Sequence, residues 1–94
     1  MSFVPISYKE VGIGNYIAKT TKEFSWKFTL NEVYHLVQVL STYYTGWKQV
    51  KHNGAILYEG GSYWDNVFIF DFIIDEEKFS IVLVDTNFEL RINN

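Results

Sequence analysis

The chain has 94 residues, no cysteine and a formal net charge of −3 at pH 7. This length fits one domain with one hydrophobic core. The absence of cysteine excludes disulfides, thiolate metal sites and a cysteine nucleophile, and it is compatible with a reducing compartment. Because no basic, apolar leader opens the sequence and no long apolar run follows, we expect neither a signal peptide nor a membrane span. We therefore expect the protein in the cytoplasm.

The charge is unevenly distributed along the chain. Residues 1–52 contain six lysines and three glutamates, whereas residues 53–94 contain eight acidic residues against one lysine and one arginine. Nucleic-acid-binding domains are usually basic, so this acidic balance does not indicate one. Aromatic residues make up 19% of the sequence. We expect most rings to fill a thin core and some Tyr and Trp rings to form a contact surface.

Two strands are predicted at the beginning of the chain. The first spans residues 3–11 and the second spans residues 16–28, with a turn over residues 12–15 that its two glycines permit. The second strand carries aromatic residues at even positions and polar residues at odd positions. Such alternation is typical of a strand with one face in the core and the other in solvent.

Residues 30–45 are predicted to form an amphipathic α-helix. The four residues from Thr29 to Glu32 have the pattern of a capping box, in which the Glu32 side chain reaches back to the Thr29 backbone. Gly46 follows as the expected residue after the helix end. Apolar residues between them recur at helical spacing. These residues are Val33, Leu36, Val37, Leu40, Tyr43 and Tyr44.

The remaining sequence predicts a hairpin and then a three-stranded meander. Asn53-Gly54 is a strong two-residue turn signal, and it sets residue 52 opposite 55, residue 50 opposite 57 and residue 48 opposite 59. A four-residue turn at 75–78 and a second turn at 85–88 would pair residue 72 with 81 and residue 83 with 90. Both registers keep one apolar row on one face.

These elements together predict an α+β fold in a single domain spanning residues 1–94. We expect a mostly antiparallel sheet of about six or seven strands, with the helix at residues 30–45 packed on one face. The strand order does not follow from the sequence.

The strand at residues 66–74 is apolar on both faces, which predicts a second apolar surface besides the core. Its register places Asp71, Val82 and Arg91 in one row, so that Arg91 could lean towards Asp71. An aliphatic stripe with a charged edge is typical of an interface core with a polar rim. The alternative is that the 47–59 hairpin or the first strand covers this face.

The sequence carries no catalytic, cofactor or metal signature. His35 and His52 are expected at the surface, since neither has a carboxylate or nucleophile at a diagnostic spacing. The acidic residues 75–77 are expected to form a solvated turn, and residues 85–89 lack the glycine and the distal glutamate of a calcium loop. We therefore expect a protein that is not an enzyme and that holds no cofactor or metal.

These features predict a non-catalytic inhibitor or adaptor that occludes a surface on a larger protein, which could itself bind nucleic acid. Small viral anti-defence proteins, anti-CRISPR proteins among them, and toxin-immunity proteins have this character, and a viral protein would act in the host cytoplasm. Acidic residues would steer binding, while aromatic and aliphatic residues would supply affinity. The predicted partner-binding residues are Tyr63, Trp64, Asp65, Val67, Ile69, Asp71, Ile73, Glu76, Glu77, Val82, Val84, Asp85, Glu89 and Arg91.

Two other functions stay open at this point. One is a homodimer that binds single-stranded nucleic acid through residues 16–28, although rings and lysines must share a face for stacking and only one of these lysines shares the aromatic face. The other is a structural subunit of a virion or complex. An open apolar face would also favour self-association. The predicted nucleic-acid-binding residues are Tyr16, Lys19, Lys22, Trp26 and Lys27.

Overall fold

The computed structural model describes residues 3–13, 21–42, 45–61, 67–84 and 87–92. These residues form eight β-strands and contain no helix, and thus no helix that could cross a membrane. The strands are β1 (Phe3–Ile13), β2 (Thr21–Leu30), β3 (Val33–Thr42), β4 (Lys48–His52), β5 (Ala55–Gly60), β6 (Ile69–Ile74), β7 (Glu77–Val84) and β8 (Asn87–Ile92). The chain divides into two compact units, residues 1–64 with β1–β5 and residues 65–94 with β6–β8. That residues 1–94 form one domain stays a prediction.

The prediction of an α+β fold with a helix at residues 30–45 is wrong. The first half of this segment lies in a β-hairpin. β2 ends at Leu30, β3 begins at Val33, and the two residues between them form the turn. Asn31 and Glu32 both have positive φ, 51° and 69°. Two positive φ values in a two-residue loop are the signature of a type I′ turn, whose twist matches that of the flanking strands.

The residues of β3 fit a strand better than a helix for two reasons. Three of the ten are valine, a β-branched residue whose side chain is restricted in a helix and packs well on a pleated sheet. Alternate residues, His35, Val37 and Val39, are buried, whereas Leu36 and Gln38 between them are only partly buried. A burial period of two belongs to a strand. The helical spacing was present only because apolar residues occupy both faces of this strand.

The turn between β2 and β3 provides a test that distinguishes the hairpin from the predicted helix, because the same substitution changes stability in opposite directions in the two. We expect Glu32→Gly to raise the free energy of unfolding by about 0.5–1 kcal/mol, because glycine adopts positive φ without the steric cost of a Cβ. In a helix the same change would lower stability by about as much. Chemical denaturation of both proteins, followed by tryptophan fluorescence, measures the difference. A less stable variant would contradict the hairpin.

The first unit is a five-stranded antiparallel meander in the order β1-β2-β3-β4-β5. β1 runs to Ile13, beyond its predicted end, and residues 14–20 lie outside the described part. One face of this sheet is largely apolar. The β2–β3 and β3–β4 registers place the buried apolar side chains of the three strands next to each other on that face. The fully or almost fully buried apolar residues of this unit are Phe24, Phe28, Leu30, Val37, Val39 and Val50.

The hairpin predicted at residues 53–54 is confirmed near its turn and wrong further out. Asn53 and Gly54 have φ values of 49° and 85°, and residues 52 and 55 face each other. A bulge between Val50 and Lys51 then shifts the register, so that residue 50 faces 58 and residue 49 faces 59. The predicted pairs of residue 50 with 57 and of residue 48 with 59 do not form. The Gln49 side chain donates to Glu59 instead (3.1 Å).

The second unit is the predicted three-stranded antiparallel meander, in the order β6-β7-β8. Its first turn contains two residues, Asp75 and Glu76, with φ values of 50° and 67°, and not the four predicted. The β6–β7 register therefore differs from the prediction by two residues, and Phe72 faces Phe79. The β7–β8 register also differs by two residues, and Ile81 faces residue 90. A shift of two keeps every side chain on its own face. The predicted apolar row survives, and Phe79 and Ile81 in its centre are fully buried.

Candidate functional site

The face of the β6–β8 sheet opposite Phe79 and Ile81 is here called the outer face. Side chains point alternately to the two faces along a strand, so the outer face takes the odd positions of β6 and β8 and the even positions of β7. Facing residues in the two registers confirm this assignment. The outer face comprises Ile69, Asp71, Ile73, Lys78, Ser80, Val82, Val84, Asn87, Glu89 and Arg91.

Large aliphatic side chains on this side of the sheet are open to solvent. Ile69 is 64% exposed and Ile73 is 72% exposed, and Val67, at the next odd position before β6, is 73% exposed. These are the highest exposures among the large hydrophobic residues whose side chains the structure describes.

The charged residues of the outer face are paired with each other. Ser80 Oγ donates to Asp71 Oδ1 (2.6 Å), and Lys78 Nζ lies 3.6 Å from Asp71 Oδ2. Arg91 Nη2 donates to Glu89 Oε1 (3.1 Å). The predicted row keeps its two ends but not its centre: Asp71, Ser80 and Arg91 lie in one row, with Ser80 where residue 82 was predicted. Arg91 does not pair with Asp71, because its guanidinium binds Glu89. Two acids thus balance two bases on this face.

The other predicted partner-binding residues are scattered. Glu76 is exposed in the β6–β7 turn, whereas Glu77 begins β7 on the side away from the outer face. Val82 and Val84 are partly exposed. The outer face therefore contains residues 69, 71, 73, 82, 84, 89 and 91 of the predicted set. Four predicted residues lie outside the described part of the chain: Tyr63, Trp64, Asp65 and Asp85.

The predicted nucleic-acid-binding residues do not form one surface where they are described. Trp26 packs against Tyr8 (ring centroids 5.7 Å apart) and shares its side of the sheet with Lys22. Lys27 is exposed on the opposite side. Tyr16 and Lys19 lie outside the described residues.

The histidines differ most from expectation. His35, predicted at the surface, is 5% exposed, and its Nδ1 lies 2.9 Å from His52 Nε2. Its ring stacks between His52 and Phe28, at centroid distances of 5.1 and 5.5 Å. The alternation of residues 35, 37 and 39 was the signal that could have revealed this burial.

One atom of this histidine pair is poorly accommodated. His35 Nε2 is buried and has no hydrogen-bond partner among the described residues, which costs about 1–3 kcal/mol. The described residues contain no group of three or more His, Cys, Asp or Glu side chains placed to hold a metal ion. The pair is therefore a feature of the core of the first unit.

In the described residues the fold is antiparallel and all-β, and the outer face of the second unit exposes large aliphatic side chains. No family model, curated protein or solved structure matches this chain.

Proposed function

We propose that this chain is a non-catalytic binding protein that docks on a larger protein through its outer face and occludes part of that protein's surface. The exposed aliphatic side chains Val67, Ile69 and Ile73 carry this proposal. Single exposed apolar residues are common, but a group of them rimmed by charges is typical of an interaction site. Full burial of each such side chain in an interface would contribute about 1.5–3 kcal/mol.

Charge would set the direction of approach and the specificity. Residues 65–94 contain seven acidic residues against one lysine and one arginine, a net charge of −5. The exposed acids of the β6–β7 turn, Asp75 and Glu76, lie at one end of the sheet. A basic partner surface would be attracted to that end. Inhibitors of the viral anti-defence or toxin-immunity type, including those that block a nucleic-acid-binding protein, would act in this way.

Affinity capture with matched variants tests the proposal. The double variant Ile69→Lys/Ile73→Lys places two charges in the outer face, and we expect it to lose at least 90% of any stoichiometric partner that the unmodified chain captures from a host lysate, since an unpaired buried charge is strongly unfavourable. The control is Val33→Lys/Tyr34→Lys, which replaces two half-exposed residues of the first unit with the same charges. It is expected to retain the partner.

Circular dichroism and thermal unfolding of both variants establish that they are folded before capture is compared. Equal capture by the outer-face variant and the control would refute a role of this face. Failure of the unmodified chain to capture any stoichiometric partner would count against the function as a whole.

The two alternatives are separated from this proposal by measurements on the pure protein. Binding of a short single-stranded oligonucleotide that weakens with salt, followed by fluorescence anisotropy, would favour the nucleic-acid function, because phosphate contacts release counterions. A structural subunit would form stable oligomers and capture no foreign protein. No contact in the described residues favours either alternative over protein binding.

A further inference from the structure

The two sheets end in four edge strands in the described part of the chain: β1 and β5 in the first unit, β6 and β8 in the second. An edge strand presents a row of unpaired backbone N–H and C=O groups, which is a template for pairing with another strand. Natural proteins protect such edges with proline, charged side chains or bulges.

Three of these edges carry such protection. β1 contains Pro5 and an irregular register between Pro5 and Ser7. β5 itself contains a bulge, since Ile56 and Tyr58 pair with the consecutive residues Lys51 and Val50 and leave Leu57 as the extra residue. β8 alternates exposed charged residues, Glu89 and Arg91, with apolar ones.

The edge of β6 carries neither a proline nor a bulge, and its one charged side chain is Asp71. Its register with β7 is unbroken from Ile69 to Ile74, and it contains no proline and no basic residue. Five of its six residues are apolar, and the sixth, Asp71, is engaged by side chains of β7. Of the four edges, the edge of β6 is therefore the least protected against pairing with another strand.

The backbone groups that would pair can be identified. The Leu83 N–H donates to the Phe68 carbonyl (3.0 Å), so the backbone of Phe68 faces β7. Groups that face the neighbouring strand alternate along an antiparallel pair. The N–H and C=O groups of Ile69, Asp71 and Ile73 therefore point away from β7. No strand in the described residues pairs with them.

We propose that β6 pairs in antiparallel fashion with β6 of a second copy of this chain, across a two-fold axis, to form a continuous six-stranded sheet. The charges on the outer face itself do not oppose a second copy as the occupant. Its two acids and two bases are balanced, so two such faces can lie side by side without net repulsion. Antiparallel pairing also keeps the acidic turns at Asp75 and Glu76 at opposite ends of the shared edge.

The register of this pairing is restricted. Alignment of Asp71 with Asp71 of the second copy would place two carboxylates directly opposite each other, which is unfavourable. A displacement by two residues sets Asp71 opposite Ile69 or Ile73 of the second copy and keeps each side chain on its own face. The exposed isoleucines of both copies then line the same junction. Because the shared edge is only six residues long, the dimer is expected to depend on concentration.

This inference goes beyond the proposed function and does not depend on it. Dimerisation is read from the mass of the pure chain in solution, whereas the proposed function is read from capture of a foreign protein. A monomeric chain that captures its partner and a dimeric chain that captures none are therefore distinct results.

Light scattering after size exclusion, over a range of protein concentrations, tests the inference. We expect the mass of the unmodified chain to rise to twice that of the monomer as concentration increases. Ile73→Pro removes an outward N–H but no bond to β7, which an edge strand tolerates, and it is expected to remain monomeric. Ile73→Val keeps the N–H and should dimerise like the unmodified chain.

Amide hydrogen exchange of the unmodified chain gives a second measurement that needs no variant. At the dimeric concentration, outward amides in the 69–73 segment should exchange at least about tenfold more slowly than at the monomeric concentration. A chain that stays monomeric at all concentrations overturns the inference, as does a dimer that persists in folded Ile73→Pro. A foreign strand that binds the monomer and protects the same amides would overturn the second copy as the occupant.

Discussion

Replacement of Phe28 by alanine is expected to lower the free energy of unfolding by about 3–5 kcal/mol. Phe28 is 1% exposed and lies in β2, between β1 and β3 of the first unit's meander. Its ring contacts Phe3 on β1 (centroids 5.1 Å apart) and His35 on β3 (5.5 Å). The truncation would therefore leave a cavity that three adjacent strands border. Since small domains are stable by about 5–15 kcal/mol in total, this single change would remove much of the stability.

Chemical denaturation measures this loss, with Tyr34→Ala as the control. Tyr34 is an aromatic residue on β3 that is half exposed, so its truncation should cost less than about 1 kcal/mol. Similar losses for the two variants would contradict the burial of Phe28 and, with it, the assignment of the inner face of this sheet.

Replacement of His35 by leucine is expected to raise the free energy of unfolding by about 1–2 kcal/mol. Leucine has a similar volume and removes the buried Nε2 atom that lacks a partner, which costs about 1–3 kcal/mol. The hydrogen bond to His52 is lost, but His52 is only partly buried and water can replace that bond. The stability gained by removing the unpartnered Nε2 atom should therefore exceed the stability lost with the hydrogen bond to His52.

Thermal and chemical unfolding at neutral pH measure the change, and His52→Leu serves as the control. That variant leaves His35 with both ring nitrogens unpaired in the core, so it should be less stable than the unmodified chain. A loss of stability in His35→Leu would mean that His35 Nε2 is satisfied in solution.

The wrongly predicted helix at residues 30–45 shows where a sequence pattern can mislead. Val33, Leu36, Val37 and Leu40 lie on one face of a helix, but the same segment also alternates buried and less buried residues as a strand. Local patterns cannot separate these states when both strand faces contain apolar residues. The β2 and β4 strands decide the outcome, because they pair with both edges of β3.

The candidate binding surface was predictable in part. The alternation of residues 67, 69, 71 and 73 was sufficient to find the aliphatic stripe, because side-chain direction follows from the strand period alone. The neighbours of Asp71 were not predictable, because they depend on the length of the β6–β7 turn. A turn of two residues, with Asp75 and Glu76 at positive φ, sets Ser80 beside Asp71. The predicted turn of four residues would have set residue 82 there.

The sequence by itself determined the features that depend on neighbours along the chain: the turn at Asn53-Gly54, the antiparallel meander of β6–β8 and the faces on which its apolar side chains lie. The tertiary structure alone decided that β3 is a strand, that His35 is buried against His52, and which residues surround Asp71. The physical reason is that backbone pairing between strands satisfies hydrogen bonds at a distance in sequence. The intrinsic preference of a short segment for helix or strand is weaker than the stabilisation from this pairing.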